Sequence, residues 1–407
     1  MRRFAAQISA TFAPPVMQAR AWAAAAPSLP DRPLLNLSQA APVDPPPETL
    51  RTAMADALRD EASSHLYGPV LGRPDLRAEV AARWSTLYGG EIAAEEVAIT
   101  SGCNQAFCAA VSTLADAGDN LILPTPWYFN HKMWLDMAGI EARPCPTGPG
   151  MIPEAERAAD LIDARTRALV LVTPNNPTGA EYPPETIAAF AELAKAKGIA
   201  LIVDETYRDF LKPEGAPHQL FQGDWRGTVI HLYSFSKVFR LTGHRIGAMI
   251  AEAPRLAEAE KWLDTVTICP SQVGQIGALE GLRRLDTWVA AERAEILHRR
   301  DVVAREMAHL PDWSLLGLGA YFAYLEHPFA MPSDILAERL CHEWGLLLLP
   351  GTMFGPRQDE GGDGSAERQL RVAFANADEA GIQELVKRLA AATNAMADGL
   401  AARSSAP

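Results

Sequence analysis

The sequence predicts an α/β protein with two domains, a large one with a mainly parallel central sheet wrapped by helices and a smaller α+β one. First, the length of 407 residues exceeds one typical domain. Second, short runs rich in Val, Ile and Leu alternate with longer helical patterns from residue 95 to 251, which is typical of a parallel sheet with helical crossovers. Third, a hydrophobic content of 48% supplies enough apolar material for a core.

Six apolar runs are the predicted strands of the large domain. Their hydrophobicity is nearly continuous rather than alternating, as in strands buried on both faces. They span residues 97–100, 121–123, 168–172, 199–203, 229–233 and 246–250. Residues 183–197 carry apolar positions at helical spacing and are followed by Gly198, which predicts a crossover helix.

The smaller domain is predicted from the pattern after the sheet. A long charged helix is expected over residues 288–309, and an apolar run at residues 319–325 precedes another helical pattern. We therefore predict an N-terminal segment, residues 1–45, that packs with the small domain. The large, ligand-binding domain is expected at residues 46–300 and the small C-terminal domain at residues 301–407.

Charge and cysteine content exclude several protein classes. A net charge of -13 would repel nucleic-acid phosphates and anionic lipid surfaces. The five cysteines are scattered without CxxC spacing and the nine histidines form no HExxH motif, so we expect no disulfide framework and no metal. Cysteine usage fits the reducing cytoplasm. We see no run long enough to span a bilayer and no apolar core of a signal peptide.

Five polar or aromatic segments each follow a predicted strand. Ligands of open α/β sheets gather outside the carboxyl ends of the strands, so we expect these segments to converge on one rim. They are residues 101–105, 124–128, 175–179, 204–207 and 234–237. Taken singly, each has an ordinary explanation as a helix cap, a turn or a solvated loop lysine. Their order, spacing and common position indicate a single ligand site.

At these segments the sequence resembles the fold-type I pyridoxal-phosphate (PLP) aminotransferases of class I/II, the family that includes aspartate aminotransferase. The most specific match is Ser-Phe-Ser-Lys at residues 234–237, followed by Gly-His-Arg-Ile-Gly at residues 243–247. The likeness extends from Asn36 through Tyr67 to Arg371, which is most of the chain. It implies the fold-type I architecture, PLP bound by the large domain, and a homodimer with shared active sites.

The resemblance implies a catalytic role for three residues. Lys237 would hold the cofactor as a Schiff base and move the substrate proton, because a lysine amine forms an imine with an aldehyde. Asp204 would pair with the pyridine nitrogen and raise its pKa, so that the ring can absorb carbanion charge. Tyr207, together with Asn176, would donate hydrogen bonds to the phenolate oxygen of the ring.

Further residues are implied to hold the cofactor. A Ser-Gly turn that leads into a helix offers backbone N–H groups and a favourable dipole to a phosphate, and an arginine fork adds side-chain donors. Tyr128 would stack on the pyridine ring, and Tyr67 would reach the phosphate of a partner subunit. Lys237, Asp204, Tyr207 and Asn176 also belong to the implied cofactor-binding set. Its other members are Gly102, Cys103, Asn104, Tyr128, Ser234, Arg245 and Tyr67.

Substrate contacts are implied for Arg371, Ala40, Tyr128 and Asn176. Arg371 would grip the α-carboxylate with both arms of its guanidinium. Ala40 stands where the family commonly has glycine, and it retains the main-chain N–H. Asn104 stands where an aspartate-specific branch has a lysine that binds the distal carboxylate. Because asparagine carries no charge, we expect no strong preference for aspartate.

The sequence therefore predicts a PLP-dependent aminotransferase that moves an amino group from an L-amino acid to a 2-oxo acid in two half-reactions. A β-eliminating lyase on the same scaffold is the alternative, because the motifs describe the cofactor pocket better than the fate of its carbanion. A non-catalytic ligand-sensing domain is disfavoured by the negative charge and by the lack of a helix-turn-helix segment. The amino donor and the 2-oxo acid acceptor stay open.

Overall fold

The computed structural model describes residues 4–211 and 215–404, which form two compact units. Unit 1 consists of the described residues of Met1–Phe12, Ala41–Asn176 and Ala180–Ala294, and unit 2 of those of Ala13–Ala40, Pro177–Gly179 and Glu295–Pro407. The domain boundaries at residues 45/46 and 300/301 stay a prediction. Residues 1–3, 212–214 and 405–407 of the predicted domains lie outside the described residues.

Helices occur in both units. Within the described residues, no helix is both long and apolar enough to cross a membrane. In chain order the helices are α1 Ala6–Ala10, α2 Pro15–Ala25, α3 Glu48–Asp60, α4 Pro74–Tyr88, α5 Cys103–Ser112, α6 Phe129–Ala138, α7 Ala155–Asp160, α8 Pro184–Lys197, α9 Phe235–Val238, α10 Ala253–Thr267, α11 Gln272–Arg284, α12 Asp286–Met307, α13 Ser333–Trp344 and α14 Glu379–Ser404.

The strands of the described residues form three sheets. In chain order they are β1 Leu35–Asn36, β2 Val97–Thr100, β3 Asn120–Thr125, β4 Glu141–Pro146, β5 Thr166–Val172, β6 Ala200–Asp204, β7 Val229–Ser234, β8 Gly247–Ile250, β9 Ser314–Gly319, β10 Phe322–Glu326, β11 Leu346–Leu347, β12 Leu349–Pro350 and β13 Gln369–Ala373.

Unit 1 is built on a seven-stranded sheet with the strand order β2-β8-β7-β6-β5-β3-β4. Neighbouring strands are parallel from β4 through β3, β5 and β6 to β7. Strand β8 is antiparallel to both β7 and β2. Because Thr100 and Ser234 both pair with Gly247, the carboxyl ends of β2 and β7 lie beside the start of β8. We call this side of the sheet the carboxyl edge.

The predicted sheet is confirmed, and all six predicted strands are present with small shifts at their ends. They are buried because helices cover both faces, which explains their continuous apolar pattern. The predicted crossover helix is α8, and it ends at Gly198, whose φ of 65° closes the helix in the left-handed conformation. Strand β4 was not predicted. It lies at the edge of the sheet and carries Glu141 and Arg143 among partly exposed positions, so it lacks the apolar pattern.

Unit 2 contains a four-stranded antiparallel sheet in the order β12-β13-β10-β9 and a parallel pair, β1 with β11. The segment after β1 lies alongside β13, because the Ala373 N–H donates to the Leu37 carbonyl at 2.8 Å. Gly345 ends α13 with a φ of 62° and turns the chain into β11. Helix and antiparallel sheet within one unit match the predicted α+β character.

Candidate active site

The carboxyl edge of the unit 1 sheet gathers most of the predicted site residues. Strands β2, β3, β5, β6 and β7 all end there, in a sheet whose inner strands are hydrogen-bonded side by side. The predicted residues that follow these five strands are Gly102, Tyr128, Asn176, Tyr207 and Lys237, and Asp204 is the last residue of β6. The convergence expected for an open α/β sheet is therefore present within this unit.

Helix α5 begins at the edge with an arginine against its N-terminus. Gly102 precedes the helix with a φ of +90°, and a Cβ added there would lie 2.3 Å from Arg245 Nη2. A Cβ added to Gly247 would lie 2.7 Å from the main-chain nitrogen of Cys103. Both glycines therefore permit a close approach of the arginine and of β8 to the helix. The first-turn N–H groups of α5, the helix dipole and a guanidinium together form a cradle suited to an anion.

The lysine lies in the short helix that follows β7. Ser234 caps this helix, because its Oγ accepts the Ser236 N–H at 3.2 Å. Lys237 is half-buried, and its Nζ lies 5.9 Å from the ring centroid of Tyr207. The amine is thus held near the turn that follows β6.

Asp204 is a buried carboxylate with hydrogen bonds to one oxygen and a histidine beside the other. Thr206 donates to Oδ1 from its main-chain nitrogen at 3.0 Å and from its hydroxyl at 2.7 Å, and His131 Nε2 lies 3.4 Å from Oδ2. Burial opposes ionisation, but His131 and Thr206 outweigh it and hold the pKa of Asp204 below its usual value. Burial and the charge of Asp204 raise the pKa of the Cys103 thiol well above its usual range. The site therefore contains a carboxylate anion beside a neutral thiol.

His131 is a functional candidate that the sequence analysis missed. Its ring stacks on Phe107 with the centroids 3.8 Å apart, and it meets Tyr128 edge-on at 5.0 Å. Tyr128 also donates from its hydroxyl to Asn104 Oδ1 at 3.3 Å. Histidines entered the sequence expectations only as possible metal ligands. A usable signal was the spacing, since His131 follows Tyr128 by three residues at the start of α6.

The segments after β5 and β6 are joined by main-chain and side-chain hydrogen bonds. The Thr173 N–H donates to the Asp204 carbonyl at 2.9 Å. The Asn175 amide donates to the Tyr182 hydroxyl at 3.0 Å, which fixes the turn that carries Asn176. Asn176 and Tyr207 are both buried at this edge.

Three predicted site residues lie apart from this group. Tyr67 belongs to unit 1, but its side chain is 80% exposed. Ala40 and Arg371 belong to unit 2. There Arg371 is buried on β13, and its Nη2 donates to the Ser38 carbonyl, two residues before Ala40.

The guanidinium of Arg371 is held between aromatic rings of unit 2. Its central carbon lies 5.2 Å from the ring centroid of Phe322 and 4.9 Å from that of Phe354. Tyr324 is its cross-strand neighbour on β10, and burial raises the pKa of that phenol, so Tyr324 adds no negative charge. Arg371 is therefore a buried cation whose planar guanidinium lies against two aromatic rings.

The fold and the carboxyl-edge residues define an α/β enzyme with a lysine, a buried carboxylate and an anion cradle at one sheet edge. Residues 32–389 match the family model of aminotransferase class I and II, and the chain belongs to this family. The aromatic aminotransferase ISS1 of Arabidopsis thaliana is 30% identical over 339 residues, 80% of this chain and 80% of that protein. The aspartate aminotransferase of Pyrococcus horikoshii is 28% identical over 341 residues, 82% of this chain and 84% of that protein.

A solved structure shows the same fold. A single mutant of Thermus thermophilus aspartate aminotransferase superposes with a TM-score of 0.85 at 27% sequence identity, covering 96% of this chain and 99% of that chain. The predictions of family, fold class and enzyme class are confirmed, and the protein is a PLP-dependent aminotransferase of fold type I. The β-eliminating alternative is not favoured. Since the two relatives are named for different amino acids, they leave the amino donor open.

Proposed function

We propose that this chain binds PLP at the carboxyl edge of unit 1 and transfers the amino group of an L-amino acid to a 2-oxo acid in two half-reactions. The observation that carries the proposal is the convergence of the Lys237 amine, the ionised Asp204 and the α5 anion cradle on one sheet edge. When bound, PLP supplies an aldehyde that condenses with amines and a protonated ring that absorbs negative charge from the substrate.

The α5 cradle fits the phosphate group. Main-chain N–H groups of Cys103 and Asn104, at the start of the helix, would point at the phosphate oxygens. The Gly102 N–H donates to the Thr100 carbonyl at 2.8 Å, so Gly102 would contribute by leaving room for the arginine. Arg245 and Ser234 would add side-chain donors. The need for glycine at position 102 supports this assignment, because any side chain there would displace the arginine from the cradle.

The remaining edge residues fit the ring. Asp204 is ionised and buried, so it would keep the pyridine nitrogen protonated by charge pairing. Tyr128 would cover one face of the ring, and Asn176 and Tyr207 would donate to its phenolate oxygen. Lys237 would hold the aldehyde carbon and then, once released by substrate, move a proton from the substrate Cα.

Arg371, with the main-chain N–H of Ala40, would bind the substrate α-carboxylate. The observations that support this role all lie within unit 2. The guanidinium is buried there, packs against the rings of Phe322 and Phe354, and bonds to Ser38 in the segment that carries Ala40. A buried guanidinium favours a carboxylate over a neutral group, because charge-assisted hydrogen bonds are stronger than neutral ones. Tyr128 and Asn176 would complete the substrate contacts.

A homodimer is supported by an exposed apolar patch around Tyr67. Leu66, Tyr67, Val266 and Ile268 are 65%, 80%, 54% and 41% exposed. The Gly68 N–H donates to Cys269 Sγ at 3.4 Å, so the two segments lie side by side. A patch of this kind is typical of an association surface, and Tyr67 would extend from it to the partner's phosphate. A cytoplasmic location stays a prediction, supported by five free cysteines.

The cofactor assignment is tested with the purified protein. We expect visible absorption that borohydride reduction bleaches while fixing the cofactor to the peptide that contains Lys237. Lys237→Ala should abolish turnover, because the covalent anchor and the proton carrier are lost together. Lys261→Ala is the matched control, since Lys261 is an exposed lysine paired with Glu258 on α10. A colourless but fully active protein would contradict the assignment, and release of ammonia instead of amino transfer would indicate a lyase.

A further inference from the structure

A buried polar cluster lies behind the turn that carries Asp204. Its members, which we call the Glu205 cluster, are all 7% exposed or less: Tyr88, Glu205, Arg208, His218 and His231. In register, Asp204 pairs with Leu232 and Val203 pairs with His231. Because side chains alternate along a strand, His231 faces away from Asp204. The cluster therefore occupies the opposite face of the sheet, where none of its members is a predicted cofactor or substrate contact.

Two hydrogen bonds and a nearby histidine surround one oxygen of Glu205. Tyr88 donates from its hydroxyl, His231 Nε2 lies at 2.8 Å and His218 Nε2 at 3.5 Å from Oε2. The Leu220 N–H donates to His218 Nδ1 at 3.3 Å, so a neutral His218 ring carries its proton at Nε2, toward Glu205. Burial opposes ionisation, but the two histidines outweigh it and hold the pKa of Glu205 well below its usual value.

Two histidines and a glutamate also raise the question of a metal. Their ligand atoms lie within 4.8 Å of one another, a spacing that a transition metal could bridge. A metal at His218 Nε2 would require the proton of a neutral ring to move to Nδ1, where the Leu220 N–H already donates. Arg208 Nη1 donates to the Tyr88 hydroxyl at 2.8 Å, which places the positive charge of the guanidinium next to the hydroxyl that donates to Glu205. Both features favour a hydrogen-bonded carboxylate over a metal ligand.

The cluster is tied to the candidate active site through the backbone of one turn. The Glu205 N–H donates to the Leu232 carbonyl at 2.9 Å, and the Arg208 N–H donates to the Glu205 carbonyl at 3.2 Å. The Arg208 guanidinium lies 3.7 Å from the ring centroid of Trp84 and 4.4 Å from that of Tyr233. Residues 205 and 208 thus anchor the turn in the core, while Asp204 and Tyr207 from the same turn face the proposed chemistry.

We propose that Glu205 is a positioning residue, and that its cluster fixes the turn so that Asp204 and Tyr207 meet the cofactor ring correctly. This inference rests on the proposed function. It explains why an ionised, hydrogen-bonded carboxylate is buried on the sheet face opposite to the proposed cofactor site. A buried anion held by hydrogen bonds from α4 and β7, with His218 beside it, has one well-defined position, whereas an apolar residue could shift in its packing.

The test compares Glu205→Gln with Glu96→Gln. Glu96 is also a buried carboxylate of unit 1, bonded to Arg226 and to the Ala93 N–H, but it precedes β2 at the opposite edge of the sheet. Both variants should lower the melting temperature. Only Glu205→Gln should raise the Kd for PLP in titrations of the apoenzyme, by about tenfold, as for groups that orient a direct ligand. It should also shift the pH midpoint of the visible absorption of the holoenzyme.

Tyr88→Phe keeps the inference testable if Glu205→Gln does not fold. It removes one donor while retaining the ring, so it should by itself raise the Kd for PLP and shift the pH midpoint. Where Glu205→Gln folds, the two effects should not add, because both act through one network. Unchanged Kd and pH midpoint in a folded variant would overturn the positioning role. So would stoichiometric zinc bound in the purified wild-type holoenzyme. A wild-type protein that takes up no PLP would instead overturn the proposed function, and this inference with it.

Discussion

His131 Nε2 lies 3.4 Å from Asp204 Oδ2, and both side chains are buried. The histidine ring is fixed by stacking on Phe107. The other carboxylate oxygen accepts both hydrogen bonds from Thr206. A buried carboxylate is tolerated only when its charge is paired or hydrogen-bonded. Asp204 is therefore held in its ionised form. An ionised carboxylate is needed to keep the pyridine nitrogen of the proposed cofactor protonated.

Asp204→Asn should reduce turnover far more than cofactor content. The amide keeps the size of the carboxylate but removes the charge, and loss of such electrostatic stabilisation costs roughly a hundredfold or more in kcat. Turnover and PLP content per subunit are the measurements. Asp119→Asn is the control, because Asp119 pairs with Arg167 just before β3, away from the carboxyl edge. Normal turnover in Asp204→Asn would remove Asp204 from its proposed role.

The fold was largely predictable from sequence because its strands carry a strong local signal. Apolar runs buried on both faces identify the inner strands, whereas β4 at the sheet edge mixes charges and prolines and offers no such pattern. The loops after the strands could be located for the same reason. Their convergence needs only the parallel arrangement of the strands, which the alternation of apolar runs and helices already indicates.

The supporting contacts of the site could not be predicted, because they depend on residues distant in sequence. Glu205 meets Tyr88 across 117 positions, and Arg371 meets Ser38 across 333. His131 is close to Asp204 only because α6 packs beside the carboxyl edge, with Phe107 from α5 behind the ring. A single sequence holds no periodicity that encodes such pairs, so a motif search finds Asp204 and passes over the residues that orient it.

Gly102→Ala should weaken cofactor binding. The new Cβ would lie 2.3 Å from Arg245 Nη2, and the φ of +90° is unfavourable for alanine, so the arginine must leave the cradle. Gly198→Ala is a matched control, because Gly198 also has a positive φ, of 65°, but its added Cβ meets nothing within 4 Å. Both variants should lose stability, and only Gly102→Ala should raise the Kd for PLP. Equal Kd values would show that the cradle does not bind the phosphate.

Arg371→Lys should raise the KM for the amino acid. A lysine ammonium cannot reproduce the two-armed grip, and losing one charge-assisted hydrogen bond costs about 1.5–3 kcal/mol. This corresponds to roughly a tenfold to hundredfold change. Arg388→Lys is the control, since Arg388 is buried in the same unit and bonds Glu384 and the Pro33 carbonyl. If both variants lose stability but neither changes KM, Arg371 is a structural residue only.

His327 should make unit 2 less stable in mild acid. Burial lowers the pKa of His327 from 6.5 to about 4. As pH falls from 6.5 toward 4, the unfolded chain binds a proton that the folded unit does not, so stability falls through this window and is unaffected above it. His327→Gln should reduce the drop in melting temperature between pH 7 and 5, whereas replacing exposed His309 should not. Identical pH profiles in wild type and His327→Gln would refute the assignment.

Asn104 should prevent strong preference for aspartate as amino donor. Its Oδ1 accepts the Tyr128 hydroxyl at 3.3 Å, so the residue offers a neutral amide where the resemblance to the family places a lysine in an aspartate-specific branch. A missing charge-assisted contact is worth about 1.5–3 kcal/mol, which is roughly ten- to a hundredfold in discrimination. We expect kcat/KM for aspartate to be no higher than for asparagine, alanine, methionine or phenylalanine with one acceptor.

The reciprocal change sharpens the same prediction. Asn104→Lys should raise kcat/KM for aspartate relative to asparagine, whereas Asn104→Met, an unbranched neutral side chain, should not. Both variants lose the acceptor for the Tyr128 hydroxyl, so any general loss of activity from a displaced Tyr128 ring appears in both and cancels in the ratio. A dominant aspartate signal in the wild type would mean that another cation binds the distal carboxylate. Arginines of unit 2 and of a partner subunit would then be the next to replace, one at a time, with the aspartate to asparagine ratio as the readout.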